Sequence, residues 1–262
     1  MSKVETQEEF VADYNPKEYP SNAYTADIIV MTIKDGKLCV LLVKRGGWPF
    51  KDCYALPGGF VNQDETSEEA ASRELQEETG FGISSLYLEQ LKTYSTPGRD
   101  PRMRVISTAY LVFMPYEELG GNPEAGDDAV EARFFAIDDI YGFGDDPDGL
   151  RLAFDHETIL KDALERTQAK LEYTPLATEF LDDSFTIPEL RRVYEAVWGF
   201  PVHASNFRRK VLNTEGFVEP IGEVGKNDNE GRITTLYTHK SILPKIQNPQ
   251  ILHPAILRSK SR

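Results

Sequence analysis

The part of the chain that decides the fold is residues 59–80, which read GFVNQDETSEEAASRELQEETG. Thr66, followed three residues later by Glu69, forms a capping box, and this pattern predicts a helix that starts just after Thr66. Ala70, Ala71, and Leu75 fit a helical pattern, and Gly80 is the residue type that commonly ends a helix. We therefore expect a single helix between Thr66 and Gly80.

Three glutamates of this helix, Glu74, Glu77 and Glu78, share one face because they are spaced i, i+3 and i+4. Like charges at this spacing destabilise an isolated helix by a few tenths of a kcal/mol, roughly, for each pair. A bound cation would offset that repulsion, and clustered carboxylate oxygens are hard ligands suited to Mg²⁺ or Mn²⁺. The alternative is a solvated acidic face on a surface helix.

The segment also satisfies the spacing G-x5-E-x7-R-E-U-x-E-E-x-G-U, where U is apolar, and it resembles the signature of the Nudix hydrolase family. The residues at the fixed positions are Gly59, Glu65, Arg73, Glu74, Glu77, Glu78 and Gly80. The last position holds Phe81, where the family usually has an aliphatic residue. This is a packing position, so the difference leaves the expected chemistry unchanged.

The resemblance implies a site that hydrolyses or binds a nucleoside diphosphate derivative with the help of Mg²⁺ or Mn²⁺. The implied metal ligands are Glu74, Glu77 and Glu78, with Glu65 and Gly59 as accessory positions. Arg73 joins the three glutamates in the catalytic set as an orienting partner. Gly58 is expected near the substrate, because a glycine lets the backbone approach phosphates closely. The general base cannot be read from the signature.

A second segment, residues 97–102, is a turn-rich loop that contains Arg99 and Arg102. It looks like a segment found in ADP-ribose pyrophosphatases and their regulator relatives. Both arginines are expected to bind substrate, because the forked guanidinium donors match phosphate oxygens. The alternative is a structural turn in which Asp100 pairs with an arginine.

The surrounding residues predict strands. Asp35-Gly36 is a strong signal for a hairpin between the apolar runs 27–33 and 38–43. Further strands are expected at 55–61, where Pro57-Gly58-Gly59 interrupts the run, and at 83–95, 103–114 and 130–137. An acidic loop is expected at 117–128, and a helix at about 155–171.

The C-terminal part has a different organisation. Thr186 and Glu189 form another capping box with an early proline, and Gly199 ends the helix that follows. A second helix is expected at 205–213, followed by strands at 217–221 and 232–238 around the polar loop 223–231. Helix, turn, helix and hairpin in this order predict a winged helix-turn-helix.

The second of these helices has two predicted sides. Its inner side is expected to hold Phe207, Val211 and Leu212. Arg208 is placed nearer that side, from which it would reach a phosphate or an acidic neighbour. The residues expected to contact DNA, including one on the second hairpin strand, are Asn206, Arg208, Arg209, Lys210, Asn213 and Arg232. The alternative is a small helical domain with a solvated polar face.

Together, the two parts of the chain resemble the Nudix-related transcriptional regulators of NAD metabolism. The second part of this resemblance is carried by residues 185–196 and 206–210. It implies an α+β protein, with a Nudix α/β/α sandwich built on a mixed sheet and followed by a winged helix-turn-helix. In that family the Nudix domain senses ADP-ribose or a related nucleotide, the winged domain binds operator DNA, and members are generally homodimers.

The Nudix signature is often degraded in these regulators, but this chain keeps every acidic ligand, so hydrolysis is also expected. The alternative is a metabolic ADP-ribose pyrophosphatase whose C-terminal domain serves dimerisation or protein interaction. The predicted division is an N-terminal arm at 1–22, a Nudix domain at 23–145 and a linker helix at 146–174. It continues with a winged domain at 175–240 and a basic tail at 241–262.

The charge and composition of the 262 residues agree with this division. The net charge of −14 is concentrated in residues 1–184, whereas residues 240–262 carry five basic and no acidic residues. Two cysteines exclude a disulfide framework and a four-cysteine zinc site. The chain has no apolar run of membrane-spanning length and no secretory signal, so we expect a cytoplasmic protein without a membrane partner.

Overall fold

The computed structural model describes residues 6–81, 87–119, 129–142, 150–226 and 233–239. Its strands are β1 (Ala23–Lys34), β2 (Lys37–Arg45), β3 (Tyr54–Ala55), β4 (Gly58–Phe60), β5 (Tyr87–Tyr94), β6 (Val105–Phe113), β7 (Ala129–Ala136), β8 (Glu219–Lys226) and β9 (Ile233–Thr238). Its α-helices are α1 (Gln7–Asp13), α2 (Ser67–Thr79), α3 (Ile137–Gly142), α4 (His156–Tyr173), α5 (Ile187–Trp198) and α6 (Ala204–Asn213). Short 3-10 helices cover Pro16–Glu18, Glu117–Leu119 and Pro175–Phe180.

Seven strands form one mixed sheet. Its main path runs β3-β2-β1-β6-β5, with β4 paired to β1 and β7 paired to β2. The β1–β6 pair is parallel and the other pairs are antiparallel. The hairpin between β1 and β2 turns at Asp35 and Gly36, both at positive φ, as the sequence predicts.

The two faces of the sheet are covered by different helices. Along β1, Ile28 and Val30 pack with α2, while Ile29 and Met31 pack with α4. Successive residues of a strand point to opposite faces, so this alternation separates two apolar layers. The predicted α/β/α sandwich on a mixed sheet is therefore confirmed.

The helix α2 begins and ends where the sequence predicts. The Thr66 hydroxyl accepts a hydrogen bond from the Glu69 N–H at 3.2 Å, and the Glu69 carboxylate accepts one from the Thr66 N–H at 2.7 Å. Gly80 closes the helix in the left-handed conformation at φ 77°. Ala70, Ala71 and Leu75 are buried against the sheet, so the opposite side of α2 carries the polar residues.

The C-terminal part forms the predicted helix, turn, helix and hairpin. The capping box of Thr186 and Glu189 starts α5, and Gly199 ends it at φ 73°. Phe185 pairs with Tyr237 of β9 through two backbone hydrogen bonds of 2.9 and 2.8 Å, which attaches the hairpin to the start of α5. The winged helix-turn-helix architecture is confirmed.

One apolar cluster runs from the sheet through α4 into the winged part, from Ile29 to Leu190 and Tyr194. The side chain of Gln168 on α4 donates to the Val197 carbonyl at 3.0 Å, and the indole of Trp198 donates to the Gln168 carbonyl at 3.2 Å. The helix α4, predicted as a linker, is thus packed on both parts.

Some predicted boundaries differ from the structure. Residues Gly58 and Gly59 belong to β4 and do not interrupt a strand, because their backbone pairs with β1; the interruption is at Leu56 and Pro57. The strand β8 continues to Lys226, beyond the predicted start of the wing loop. Most of the acidic loop 117–128, the residue Arg232 and the tail 241–262 lie outside the described residues.

None of the helices found in the described ranges combines the length and the apolar character needed to cross a membrane.

Candidate functional site

A cavity of about 480 Å³ opens beside the sheet and α2. Its walls come from β1, the end of β2 with the loop that follows it, β4, α2, the β5–β6 loop and the start of α4. This volume is within the range of small-molecule sites in proteins. The cavity is therefore the candidate functional site of the part of the chain built on the seven-stranded sheet.

Arg73 is the centre of the carboxylate cluster on α2. Its guanidinium donates to both oxygens of Glu65, at 2.7 and 3.1 Å, to Glu74 at 2.8 Å and to Glu77 at 3.0 Å. It also donates to the Phe60 carbonyl at 3.0 Å. The hydrogen bonds that Glu65 accepts from Arg73 and from the Asn62 backbone lower the pKa of the Glu65 carboxyl to about 2. Arg73 therefore contacts three carboxylates of the signature at once, and its orienting role stays a prediction.

Two of the three predicted metal-binding glutamates line the cavity. Glu74 and Glu78 face it, whereas Glu77 lies outside its lining and its side chain is 57% exposed. Burial raises the pKa of the Glu74 carboxyl, and burial together with the nearby Glu74 raises that of Glu78 to about 8. The Gly58 N–H, which donates to Glu78 at 3.0 Å, opposes the shift only in part. Burial thus makes ionisation of both carboxyls less favourable than in water, although Arg73 opposes this effect at Glu74.

The two glycines of β4 are required by close approaches. Gly58 has φ 151°, and a side chain on it would collide with the backbone carbonyl of Ala26. A side chain on Gly59 would collide with the carboxylate of Glu74. Gly59 therefore leaves the space that the Glu74 carboxylate occupies at the edge of the cavity.

The described residues contain no group of three or more His, Cys, Asp or Glu side chains already gathered around one point. Arg73 instead holds Glu74 and Glu77 on one side of the helix. The donors nevertheless fit a hard divalent cation, because Glu74 and Glu78 are oxygen ligands whose ionised forms lack full compensation. Glu65 contributes less to such a site, because Arg73 and Asn62 occupy its oxygens.

The structure gives Arg99 a different environment from the one predicted. Its side chain is 5% exposed and donates to Asp155 at 2.7 and 3.0 Å and to Asp27 at 3.3 Å. Asp27 also accepts a hydrogen bond from the Ser107 hydroxyl at 2.5 Å. The guanidinium of Arg99 is therefore committed to protein carboxylates at the wall of the cavity, because the fold brings two aspartates from distant elements onto it.

Arg102 adopts the arrangement given above as the alternative, a turn in which Asp100 pairs with an arginine. Its guanidinium forms a forked pair with Asp100 at distances of 2.7 to 3.3 Å. It also lies 5.6 Å from the ring centre of Phe60. Its side chain is 44% exposed and lines the cavity, so donors of Arg102 remain accessible to a ligand.

Arg45 lines the cavity and was missed by the sequence reasoning. Its Nε donates to the Pro49 carbonyl at 3.0 Å, and its guanidinium lies 5.0 Å from the ring centre of Phe154. Burial and the positive charge of Arg102 lower its pKa. Arg45 makes no carboxylate ion pair within the described ranges. The available signal was the basic pair at 44–45, which ends an apolar strand directly before two glycines.

His156 is the other missed residue. It begins α4, and its Nδ1 accepts a hydrogen bond from the Leu56 N–H at 2.9 Å. Burial lowers the pKa of the imidazole, and because Nδ1 accepts a hydrogen bond, the ring hydrogen is carried on Nε2, which lies 3.9 Å from an Asp27 oxygen. His156 thus joins α4 to the residues just before β4.

The second candidate surface is the outer side of α6. The residues predicted to contact DNA on this helix are all exposed: Asn206, Arg208, Arg209, Lys210 and Asn213. Arg209 donates to the Asn206 side chain at 3.4 Å. Phe207 and Val211 are buried as predicted.

The prediction for Leu212 is wrong, because its side chain is 43% exposed. Leu212 is five residues, about 140° of helix rotation, from Phe207, so it lies outside the narrow face that packs on α5. Arg208, at about 100°, is likewise exposed and joins the outer surface.

Both parts of the chain match known protein families. Residues 22–156 match the NUDIX domain, and residues 177–238 match the NrtR DNA-binding winged helix domain. The ADPR responsive transcriptional repressor NtrR of Acinetobacter baylyi is 32% identical over 219 residues, which cover 82% of this chain and 81% of that protein. The ADP-ribose pyrophosphatase of Methanocaldococcus jannaschii is 47% identical over 131 residues, covering 49% of this chain and 66% of that protein.

A solved structure resembles the chain across both parts. The crystal structure of Shewanella oneidensis NrtR complexed with a 27mer DNA has a TM-score of 0.67 and 29% identity. The match covers 83% of this chain and 93% of that one.

Proposed function

Because this chain belongs to the Nudix family and its C-terminal part is an NrtR-type winged helix domain, we propose that it is an ADP-ribose-responsive transcriptional repressor of NAD metabolism. The observation that carries this proposal is the exposed polar face of α6, held by a domain whose core is continuous with the Nudix sheet. A regulator of this kind acts in the cytoplasm.

In this proposal α6 enters the major groove of operator DNA. Asn206 and Arg209 are the residue types that read adenine and guanine edges, and Lys210 and Arg208 would neutralise phosphates. Asn213 and Arg232 are proposed as further contacts. The molecule is proposed to be a homodimer, so that two copies of α6 read a palindromic operator.

The test is a gel-shift assay on DNA from its own promoter region at low salt, with and without ADP-ribose. We expect specific binding whose affinity changes when ADP-ribose is added. Absence of specific binding would reject the repressor and favour the metabolic ADP-ribose pyrophosphatase. Light scattering of the same sample checks the dimer.

We also propose that the Nudix cavity hydrolyses its ligand, because the acidic signature is complete and Glu74 and Glu78 line the cavity. The reaction would add water across the diphosphate of ADP-ribose and release AMP and ribose 5-phosphate. A divalent cation, Mg²⁺ or Mn²⁺, would neutralise the diphosphate and favour ionisation of the attacking water. Nudix proteins typically use divalent metals.

The residues around the cavity are proposed to have three roles: binding the cation, binding the diphosphate and positioning these groups. Glu74 and Glu78 would bind the cation. Glu77 would leave its ion pair with Arg73 and become the third carboxylate ligand. Glu65 and Arg73 would orient these three glutamates. Arg45 and Arg102 are proposed to bind the diphosphate, since both line the cavity and carry accessible donors. Arg99 acts as a positioning residue, and Gly58 and Gly59 admit the carboxylates.

This second function is tested by following AMP release from ADP-ribose, NAD, NADH and sugar nucleotides with Mg²⁺ or Mn²⁺, and with EDTA as the control. We expect metal-dependent release from ADP-ribose. Unchanged ADP-ribose in every metal condition would reject hydrolysis and leave binding to be measured by calorimetry.

A further inference from the structure

The chain contains two tryptophans, Trp48 and Trp198, in opposite environments. Trp198 lies in α5 with 5% of its surface exposed, and its ring packs against Tyr194. Trp48 lies in the loop between β2 and β3 and is 81% exposed, yet it lines the cavity. No ring contact of Trp48 occurs with any residue that the structure describes. An indole at the edge of a binding cavity thus has its face available.

A second aromatic ring lines the same cavity. Phe60 of β4 is 44% exposed, and the guanidinium of Arg102 lies 5.6 Å from its ring centre. Single exposed aromatic residues are common on protein surfaces and need no explanation. Two at one cavity, beside Arg45 and the partly exposed Arg102, form a surface with both apolar and cationic character.

The chemistry of the cavity matches the two halves of a nucleotide. Arg45 and Arg102 supply cationic donors, and Glu74 and Glu78 supply carboxylates for a cation, so the polar lining suits a diphosphate. These charged groups would bind the diphosphate and the cation, so the base of the nucleotide needs a different contact. Aromatic side chains stack on the faces of all nucleic-acid bases. The larger purine ring gives more contact area than a pyrimidine.

We propose that Trp48 is the base-stacking residue of this cavity, and that the indole holds the purine of a nucleoside diphosphate derivative. Phe60 is a second aromatic side chain of the same cavity lining. This assignment rests on the proposed function for the class of ligand. It adds the residue that holds the base, which the signature on α2 does not contain.

The first test uses the fluorescence of the full chain. A Trp198→Phe variant leaves Trp48 as the single indole, because the chain has two tryptophans. Titration with ADP-ribose should quench this emission, since a stacked purine quenches an indole, whereas inorganic pyrophosphate should not. Binding of ADP-ribose detected by calorimetry without any change in the Trp48 emission would overturn the proposal.

The second test measures affinity and does not depend on Trp198. Trp48→Ala should weaken ADP-ribose binding about tenfold, equivalent to about 1.4 kcal/mol, and Trp48→Phe should restore most of it. Inorganic pyrophosphate binding should be equal in all three proteins. Equal ADP-ribose affinity of wild type and Trp48→Ala would overturn the assignment of Trp48 while leaving the proposed function in place.

Two other outcomes are informative. Wild-type protein that binds neither ADP-ribose nor any other nucleoside diphosphate derivative would reject the proposed function, and this inference with it. A Trp48→Ala variant with unchanged affinity and a halved mass in light scattering would overturn the inference and identify Trp48 as a contact between copies of the chain.

Discussion

The guanidinium of Arg99 and the carboxylate of Asp155 form a two-point ion pair, with N–O distances of 2.7 and 3.0 Å. Arg99 belongs to the β5–β6 loop at the wall of the cavity, and Asp155 is the residue before α4. The helix α4 in turn packs on α5 of the winged domain. The pair therefore joins the cavity to the helix on which the winged part packs.

Replacing Arg99 with alanine should lower the free energy of unfolding by about 3–5 kcal/mol, because Asp27 and Asp155 lose their cation in a buried site. Urea unfolding followed by circular dichroism measures the change. The matched control is Lys37→Ala, which removes a pair with Asp139 whose side chains are both 56% exposed; it should cost about 1 kcal/mol or less. Equal effects of the two substitutions would contradict the structural role of Arg99.

The adjacent glycines of β4 should respond differently to alanine. Gly58→Ala should destabilise the fold, because the new methyl group meets the Ala26 backbone and φ is 151°. Gly59→Ala should keep the melting temperature close to that of wild type, because the flexible end of Glu74 can move aside, but it should lower divalent cation affinity. Thermal melts and cation titrations of both variants separate the two effects. A Gly59→Ala protein with wild-type cation affinity would show that Glu74 is not a ligand.

Stability without metal should fall as the pH rises. The Glu78 carboxyl has a pKa of about 8 in the folded protein, against an ordinary value of 4.5. Between these values the folded state keeps a proton that the unfolded state has released, so the stabilisation is complete below about pH 4.5 and is lost by about pH 8. Unfolding in EDTA at pH 5, 6.5 and 8 should show a loss on the order of 1–3 kcal/mol.

The comparison that isolates this group is Glu78→Gln, which cannot titrate and should show a flatter profile over the same range. Saturating Mg²⁺ should also flatten the wild-type profile, because a bound cation favours the ionised carboxylate. Parallel profiles for wild type and Glu78→Gln would mean that other groups cause the slope.

Glu77→Gln and Glu78→Gln should each reduce Mg²⁺-dependent AMP release from ADP-ribose by about 100-fold or more, since each removes a carboxylate proposed to hold the cation. The fold should be kept, because Glu77 is 57% exposed and Glu78 loses a disfavoured charge. Activity and thermal unfolding are measured on the same samples. Activity that falls only in proportion to stability would argue against a catalytic role.

Arg209→Ala should weaken binding of operator DNA and leave ADP-ribose binding unchanged, because α6 and the cavity lie in different parts of the chain. A base contact of this kind is worth about 1–3 kcal/mol. Arg151→Ala, an exposed arginine outside the winged domain, is the control and should have little effect. Unchanged DNA affinity in Arg209→Ala would move the recognition surface elsewhere.

Much of the local structure follows from short sequence patterns. The helix α2, the hairpin at Asp35 and Gly36, and the ends of α5 were predictable because capping boxes and left-handed glycines act over a few residues. The buried positions Phe207 and Val211 of α6 also followed from helical spacing. Leu212 was misplaced because hydrophobicity alone does not say how wide a face the neighbouring helix covers.

The glutamate cluster shows the same limit within the site. Three carboxylates on one helix face could be read from the spacing of Glu74, Glu77 and Glu78. The spacing does not predict which of the three glutamates is exposed, because exposure depends on where Arg73 and the glycines of β4 lie after folding.

The sequence by itself therefore determined the family signature, the helix that bears it and the order of elements, since these depend on neighbours along the chain. Only the tertiary structure decided which arginines keep donors accessible to a ligand. Arg99 is enclosed because Asp27 and Asp155, 72 and 56 residues away, meet at its guanidinium. Arg45 lies at the end of β2 in the cavity wall, where its Nε donates to the Pro49 carbonyl, and it has no carboxylate ion pair in the described part of the chain. Charge pairing between distant residues is a property of the folded packing.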